Sequence, residues 1–369
     1  MSLPTVSVII PCFNQGRFLA EALDSVRSQT LPATQIILVD DGSTDDTAAI
    51  ARRYPEVKYV RQPNRGLAAA RNAGFARSSG DVIVFLDADD RLKPEALEVG
   101  RRELLAHPEC ALVWGYCVRI SEHGQPLPTV PPPPVVDDPY EMLLRSNFIW
   151  TPAVAMFRRW MGAPLMRFDP AFDAAADYEL YLRIARTFPM HGHTAVVAEY
   201  RLHGGSMSRN AAVMLTSTME VLRAQRPYVA RRRAYARAYE QGRRSWQGFY
   251  GEQLVEQLSR QVRNPRRWIE AGSMMAVLAR YYPRGLAAHM ARAVLDRPSR
   301  RPPRRVRRIV SEGSSGPSAN TPANRDRAAA PVPQPELEKP WYNGAGAAGA
   351  DEVSSIGVRP TRGRSRDRP

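Results

Sequence analysis

Residues Val82 to Leu86, Val-Ile-Val-Phe-Leu, form a continuous apolar run that ends in Asp87-Ala88-Asp89-Asp90. A β-branched and aromatic run without polar alternation predicts a strand buried on both faces of a parallel sheet. Asp87, Asp89 and Asp90 then crowd the end of that strand, where they repel one another and lose water. Such crowding is tolerable only beside positive charge, and a divalent cation is the simplest candidate. In an open α/β sheet, ligands bind at the carboxyl ends of the strands, where this cluster falls. Taken alone, the cluster is also compatible with a solvated turn.

The residues before it repeat the pattern. Val6 to Ile10 predicts a buried strand closed by Pro11, and Phe18, Leu19, Ala22, Leu23 and Val26 have helical spacing. Gln35 to Val39 predicts a second strand, ending in Asp40-Asp41-Gly42-Ser43-Thr44-Asp45-Asp46. Ser43 or Thr44 suits an N-cap, but a cap does not account for Asp40 and Asp41 on the strand side of the glycine. Val57 to Val60 predicts a third strand, followed by a small-residue helix with Ala69, Ala73 and Ala76 on its packed face. Gly66 stands before its first turn, and a helix N-terminus is a ready anion site. Arg71 interrupts that helix, either snorkelling to water or facing a ligand. Strand–helix alternation predicts a doubly wound, mostly parallel sheet. No G-x-G-x-x-G follows the first strand, so a dinucleotide fold is a poor match, and the P-loop pattern is absent. A nucleotidyltransferase would carry a glycine-rich loop where this chain has Pro11-Cys12-Phe13-Asn14.

The stretch VSVIIPCFNQGRFLAEALDSVRSQT…IILVDDGSTDDT resembles the opening of family 2 glycosyltransferases. Asp87-x-Asp89 is similar to the DxD motif of GT-A enzymes, and Gly66 to Asn72 to the family's donor-facing Gly-x-x-x-Ala-Arg-Asn segment. The resemblance is tight over residues 5–98. It implies a GT-A α/β fold with helices flanking the sheet, a nucleotide-sugar donor with UDP-sugars favoured, and divalent Mn²⁺ or Mg²⁺. On it, Pro11, Phe13, Asp41, Arg71 and Asp87 contact the donor nucleotide and Asp89 holds the metal.

Ala111 to Val118 predicts another strand, Pro131 to Pro134 an exposed polyproline loop, and Asp137 to Ser146 a helix. Asn147 to Arg158 resembles the family's acceptor-side strand, where Trp150 is either a sugar platform or core packing. Ala176-Asp177-Tyr178-Glu179-Leu180-Tyr181-Leu182-Arg183 is similar to the family's Glu-Asp-Tyr motif, with Ala176 in place of the glutamate. Asp177 suits a helix N-terminus by charge alone; on the resemblance it is the catalytic base. Tyr200-Arg201-Leu202-His203 matches the family's closing Tyr-Arg-x-His. His203 is therefore expected at the diphosphate or the metal, or as a satisfied structural residue. His191 and His193, with no third ligand near in sequence, are expected at the surface.

The chain of 369 residues carries a net charge of +15, much of the excess being arginine after residue 222. Residues 210–295 look helical, with Tyr239, Trp246, Phe249, Tyr250 and Trp268 interleaved among arginines. Such helices either meet a membrane surface or pack on the preceding domain with a basic outer face. From Pro298 the composition is Arg-, Pro-, Ser-, Gly- and Ala-rich, which predicts disorder. The expected organisation is a catalytic domain over 1–209, a basic helical extension over 210–297, and a tail over 298–369. Cys12, Cys110 and Cys117 lack metal spacing and read as reduced core residues. The opening MSLPTVSVII has no basic n-region, and no run reaches membrane-spanning length. A cytoplasmic location is expected, with peripheral attachment to the inner face of the membrane. The expected activity is inverting sugar transfer to a glycan or lipid-linked acceptor in cell-envelope or exported polysaccharide synthesis, with no nucleic acid partner. The alternative is an inactive nucleotide-sugar- or lipid-surface-binding protein.

Overall fold

The computed structural model describes residues 3–129, 137–230, 232–262 and 267–295. The expected polyproline stretch Pro131 to Pro134 and the expected disordered tail lie outside the described residues.

The first half alternates as read: β1 (Val6–Cys12), α1 (Gly16–Arg27), β2 (Gln35–Asp40), α2 (Thr47–Ala51), β3 (Val57–Arg61), α3 (Leu67–Arg77) and β4 (Val82–Phe85). A two-residue strand β5 (Arg91–Leu92) and α4 (Ala96–Ala106) follow. Next come β6 (Leu112–Ser121), α5 (Pro139–Arg145), β7 (Ala155–Arg158), α6 (Gly162–Met166), α7 (Ala176–Ala185) and β8 (Met190–Leu202). The last described elements are α8 (Ala211–Val229), α9 (Arg233–Gln261), α10 (Trp268–Tyr281) and α11 (Pro283–Leu295).

The strands form one sheet in the order β3-β2-β1-β4-β7-β6-β8-β5. β1 to β4 are parallel and β6 is parallel to β8; β7 runs antiparallel between β4 and β6, and β5 antiparallel to β8. The sheet is therefore mixed. Every residue of β1 and β4 is buried, as their unbroken apolar runs require, whereas β3, at the sheet edge, is largely open.

Three local expectations are corrected. Pro11 does not close β1, which continues to Cys12 with Pro11 opposite Val39. The paired register of β4 ends at Phe85 opposite Ile9, so no neighbour on that side requires the missing N–H. The packed face of α3 is not Ala69, Ala73 and Ala76: Ala68, Ala70, Arg71, Gly74 and Phe75 are buried and Ala76 is exposed. Gly74 decides this, because a Cβ there would lie 2.3 Å from Ile9 Cγ2. The bare position lets α3 settle on β1, and Arg71, one turn earlier on that face, is turned inward. Neither Ser43 nor Thr44 caps α2. Asp45 accepts from Thr47 N–H and from Gly16 N–H, and Ser43 Oγ accepts from Asn14 N–H. The turn after β2 thus clamps the turn after β1.

α8 and α9 pack on the sheet domain. Leu215, Leu222, Tyr239, Trp246, Tyr250 and Leu254 join the same buried cluster as β1 and β4. Among the described residues, no helix is long and apolar enough to cross a membrane.

Candidate active site

A cleft of about 510 Å³ opens where β1, β2 and β4 end. Pro11, Phe13, Asp41, Arg71, Asp87, Asp89, Trp150 and Asp177 all line it. Eight positions spread over more than 160 residues are brought together because parallel strands deliver their C-termini to one edge.

Asp41 is buried just past β2. Its Oδ1 accepts from Gln62 Nε2 at 2.7 Å and Arg65 N–H at 3.0 Å, and its Oδ2 accepts from Gly66 N–H at 2.8 Å. The carboxylate shapes the loop before α3 as well as the cleft wall. Gly66 has φ +86°, a left-handed conformation that glycine adopts without strain. Phe13 is 44% exposed at the cleft.

Arg71 is buried and donates from Nη2 to Asp87 Oδ1 at 2.6 Å. Burial opposes its charge, but the Asp87 carboxylate, and after it Asp177, outweigh burial and raise the guanidinium pKa. One cation thus couples the end of β4 to the start of α7. The ring of Phe168 lies 5.0 Å from the guanidinium carbon and covers it.

The three aspartates at the end of β4 separate in role. Asp90 is buried, with Oδ1 accepting from Arg201 N–H and Oδ2 from Thr151 Oγ1. Burial first, then the Asp89 and Asp87 charges, push its carboxyl well above the usual range. Asp89 Oδ2 lies 2.9 Å from His203 Nε2. His203 is not among the residues lining the cleft; it is buried behind Asp89, with Nδ1 facing Gly205 N–H and Arg17. His203 thus stands directly beside the candidate metal carboxylate, with Nε2 on Asp89 and Nδ1 on Gly205 N–H and Arg17. Among the described residues, Asp87 Oδ2 and Asp89 Oδ1 accept no hydrogen bond. Two hard anionic oxygens, on carboxylates whose other oxygens are held by Arg71 and His203, fit a cation such as Mn²⁺ or Mg²⁺.

Asp177 is the second residue of α7 and lines the cleft. Ala176, which replaces the expected glutamate, is buried against the core and offers nothing to the site.

Several residues in and behind the cleft were not anticipated. Arg201, 1% exposed, donates to the Asp89 carbonyl, the Glu122 carbonyl and Glu21, tying β8 to the turn that carries the acids. Its signal was the arginine of Tyr-Arg-x-His, passed over for the histidine. Met214, Trp246, Phe249 and Tyr250 reach the cleft from α8 and α9. Their aromatic spacing was visible but equally compatible with a membrane face. The expectation for His191 and His193 is also corrected. His191 stacks on His107 at 3.6 Å with Glu103 beside it, and His193 is half-buried against Gly115. That group lies at the opposite end of β8 from the cleft.

A model of the family described as Glycosyl transferase family 2 matches residues 7–159. The chain is 31% identical over 215 residues to TuaG of Bacillus subtilis strain 168, provisionally named a teichuronic acid biosynthesis glycosyltransferase. That match covers 56% of this chain and 82% of TuaG. It is 26% identical over 215 residues to the chondroitin synthase of Escherichia coli, covering 56% of this chain but only 30% of that enzyme. Among solved structures, the mannosyltransferase PcManGT of Pyrobaculum calidifontis, in complex with GDP-mannose and Mn²⁺, is similar with a TM-score of 0.51. That likeness covers 80% of this chain and 82% of the other at 18% identity, and speaks for a shared GT-A fold.

Proposed function

The chain belongs to glycosyl transferase family 2, and from that premise we propose that it moves a sugar from a nucleotide-diphosphate donor, a UDP-sugar by preference, to an acceptor hydroxyl with inversion. The observation that carries this reading is the convergence of Asp41, Arg71, Asp87, Asp89 and Asp177 on one cleft.

Pro11, Phe13 and Asp41 take the nucleotide base. Phe13 offers an exposed ring, and Asp41 braces the loop against which the base rests. Arg71 and the N-terminus of α3 present positive charge to the diphosphate. Asp89 with Asp87 would hold a divalent cation, which would supply charge stabilisation to the leaving diphosphate. Asp177 takes the proton of the acceptor hydroxyl as it attacks the anomeric carbon, whose bond to the diphosphate breaks with oxocarbenium character. One displacement inverts the configuration. Trp150 borders the acceptor.

The division into a catalytic domain over 1–209 and a helical extension over 210–297 is part of this reading. The extension also supports contact with an anionic membrane, where a lipid-linked glycan acceptor of an envelope polysaccharide would be presented. α10 and α11 expose Trp268, Ile269 and Met290, with Arg267, Arg280, Arg284 and Arg292 also open to solvent.

The test is the Asp177→Asn variant with a panel of nucleotide sugars. Transfer is expected to fall by about 10² to 10⁴, while UDP with Mn²⁺ still raises the melting temperature. Asp89→Ala is expected to abolish the Mn²⁺ dependence of that rise. Full activity in Asp177→Asn removes the base assignment. A melting response without turnover of any donor moves the chain to the binding-protein reading.

A further inference from the structure

The cleft extends past the sheet, and its outer wall comes from helices beyond residue 209. The placement of α9 is set at Gly242. A Cβ there would fall 1.9 Å from the Leu144 carbonyl and 2.9 Å from the Arg145 carbonyl, so only a bare position lets α9 rest on the end of α5. Trp246 follows one turn later, then Phe249 and Tyr250. The Trp246 and Tyr250 rings lie 9° from parallel with centroids 5.4 Å apart, and Phe249 meets both edge-on. Trp246 is 6.4 Å from the ring of Tyr178, the neighbour of Asp177. The Asp177 charge also acts on the Tyr250 hydroxyl, second to burial, and both raise its pKa. This aromatic cluster therefore stands beside the candidate base.

The end of α5 that receives Gly242 runs directly into Asn147 and then Trp150. Asn147 lines the cleft, and its Oδ1 is buried with no hydrogen-bond partner among the described residues. A buried acceptor without a donor is rare and points to a partner that arrives. Thr218 and Met214 of α8 complete the wall. Trp246, Phe249, Tyr250, Asn147, Thr218 and Met214 include no carboxylate, ammonium or guanidinium group.

We propose that this wall is the acceptor subsite, and that it takes an uncharged pyranose ring. The inference rests on the transferase reading above and names its acceptor class. The ring's C–H face lies on Phe249, the half-buried member of the cluster, which buried Trp246 and Tyr250 hold in place. A sugar hydroxyl donates to Asn147 Oδ1, and the reacting hydroxyl is turned toward Asp177. A purely hydrocarbon occupant would leave Asn147 Oδ1 unpaired, and an anionic sugar on these six residues would meet no cation, although Arg119 lines the same cleft.

The full chain is tested by saturation-transfer NMR in the presence of UDP and Mn²⁺. The probes are methyl β-glucoside, methyl β-galactoside, the methyl β-glycoside of N-acetylglucosamine, and methyl β-glucuronide as the charged control. Binding of a neutral glycoside is expected, weakened about tenfold by Asn147→Leu and also by Phe249→Leu. The UDP and Mn²⁺ melting shift serves as the fold control for both variants. No neutral glycoside signal from a chain that keeps its UDP response overturns the subsite alone. Binding unchanged in both variants does the same, and glucuronide bound as well as the neutral sugars overturns the uncharged class. Loss of the UDP response in the unmodified chain overturns the transferase reading instead.

Discussion

His203 Nε2 lies 2.9 Å from Asp89 Oδ2, and Nδ1 of the same ring faces the Gly205 N–H at 3.1 Å. Since Nδ1 accepts from an amide, Nε2 carries the proton and donates to the carboxylate. His203 is thus a positioning residue that fixes which Asp89 oxygen remains open. Replacing it with alanine is expected to weaken Mn²⁺ dependence by about 10- to 100-fold without changing UDP affinity measured at saturating metal. A Mn²⁺ titration of the UDP melting shift reads this. An unchanged midpoint in His203→Ala would show that Asp89 needs no such support.

Arg71 and Asp87 form an ion pair in which Arg71 is 4% exposed and Asp87 24%. Removing the cation leaves a half-buried carboxylate beside Asp89. Arg71→Met is expected to lower stability by about 3 kcal/mol in urea unfolding of the metal-free chain. Adding Asp87→Asn should restore part of that loss, because the stranded charge goes with it. A double variant no more stable than the single one would place the damage in packing against Phe168.

His193 is held near pKa 4, below its ordinary 6.5, by burial, which outweighs the opposing Glu103 charge and is aided by His191 and Arg102. Its native form is neutral, whereas the unfolded chain takes up a proton below about pH 6.5. Its contribution is present above pH 6.5 and disappears as pH falls through about 4. Urea midpoints measured between those limits should fall with decreasing pH, and fall less in His193→Gln. Identical slopes would assign the acid sensitivity to other groups.

Trp268 is 62% exposed and Ile269 93%. If these side chains meet a bilayer, sedimentation with phosphatidylglycerol vesicles should exceed that with phosphatidylcholine and fall with salt. Replacing both residues with serine should reduce it without shifting the melting temperature. Vesicle binding unaffected by the double change would rule this patch out as the contact.

The residues differ in how far their own neighbourhood reveals them. Asp87 and Asp89 were legible because a strand buried on both faces must end somewhere, and acids at that point have few explanations. Asp41 was found for its place on the strand side of Gly42, yet its bonds to Arg65 and Gly66 could not be, since they join loops from different strands. The burial of Arg71 depends on Gly74, whose missing side chain decides the face of α3. His203 was singled out by its motif, but only the fold shows Gly205 and Arg17 closing over Nδ1. Trp246, Phe249 and Tyr250 carry a spacing that a bilayer or a protein surface would satisfy equally. What separated the two was Gly242, a residue unremarkable until its distance from Leu144 is known.

The seat of Gly242 on the end of α5 has a consequence for how such a chain can diversify. On the proposed assignment, the donor is recognised by strand termini in the first 90 residues, and the acceptor largely by two turns of one later helix. The two halves meet at this bare backbone contact and through side-chain pairs beside it, Arg145 with Gln241 and Asp138 with Tyr235. Substitution at Phe249, the half-buried member of the cluster, can change what receives the sugar while leaving untouched the apparatus that activates it.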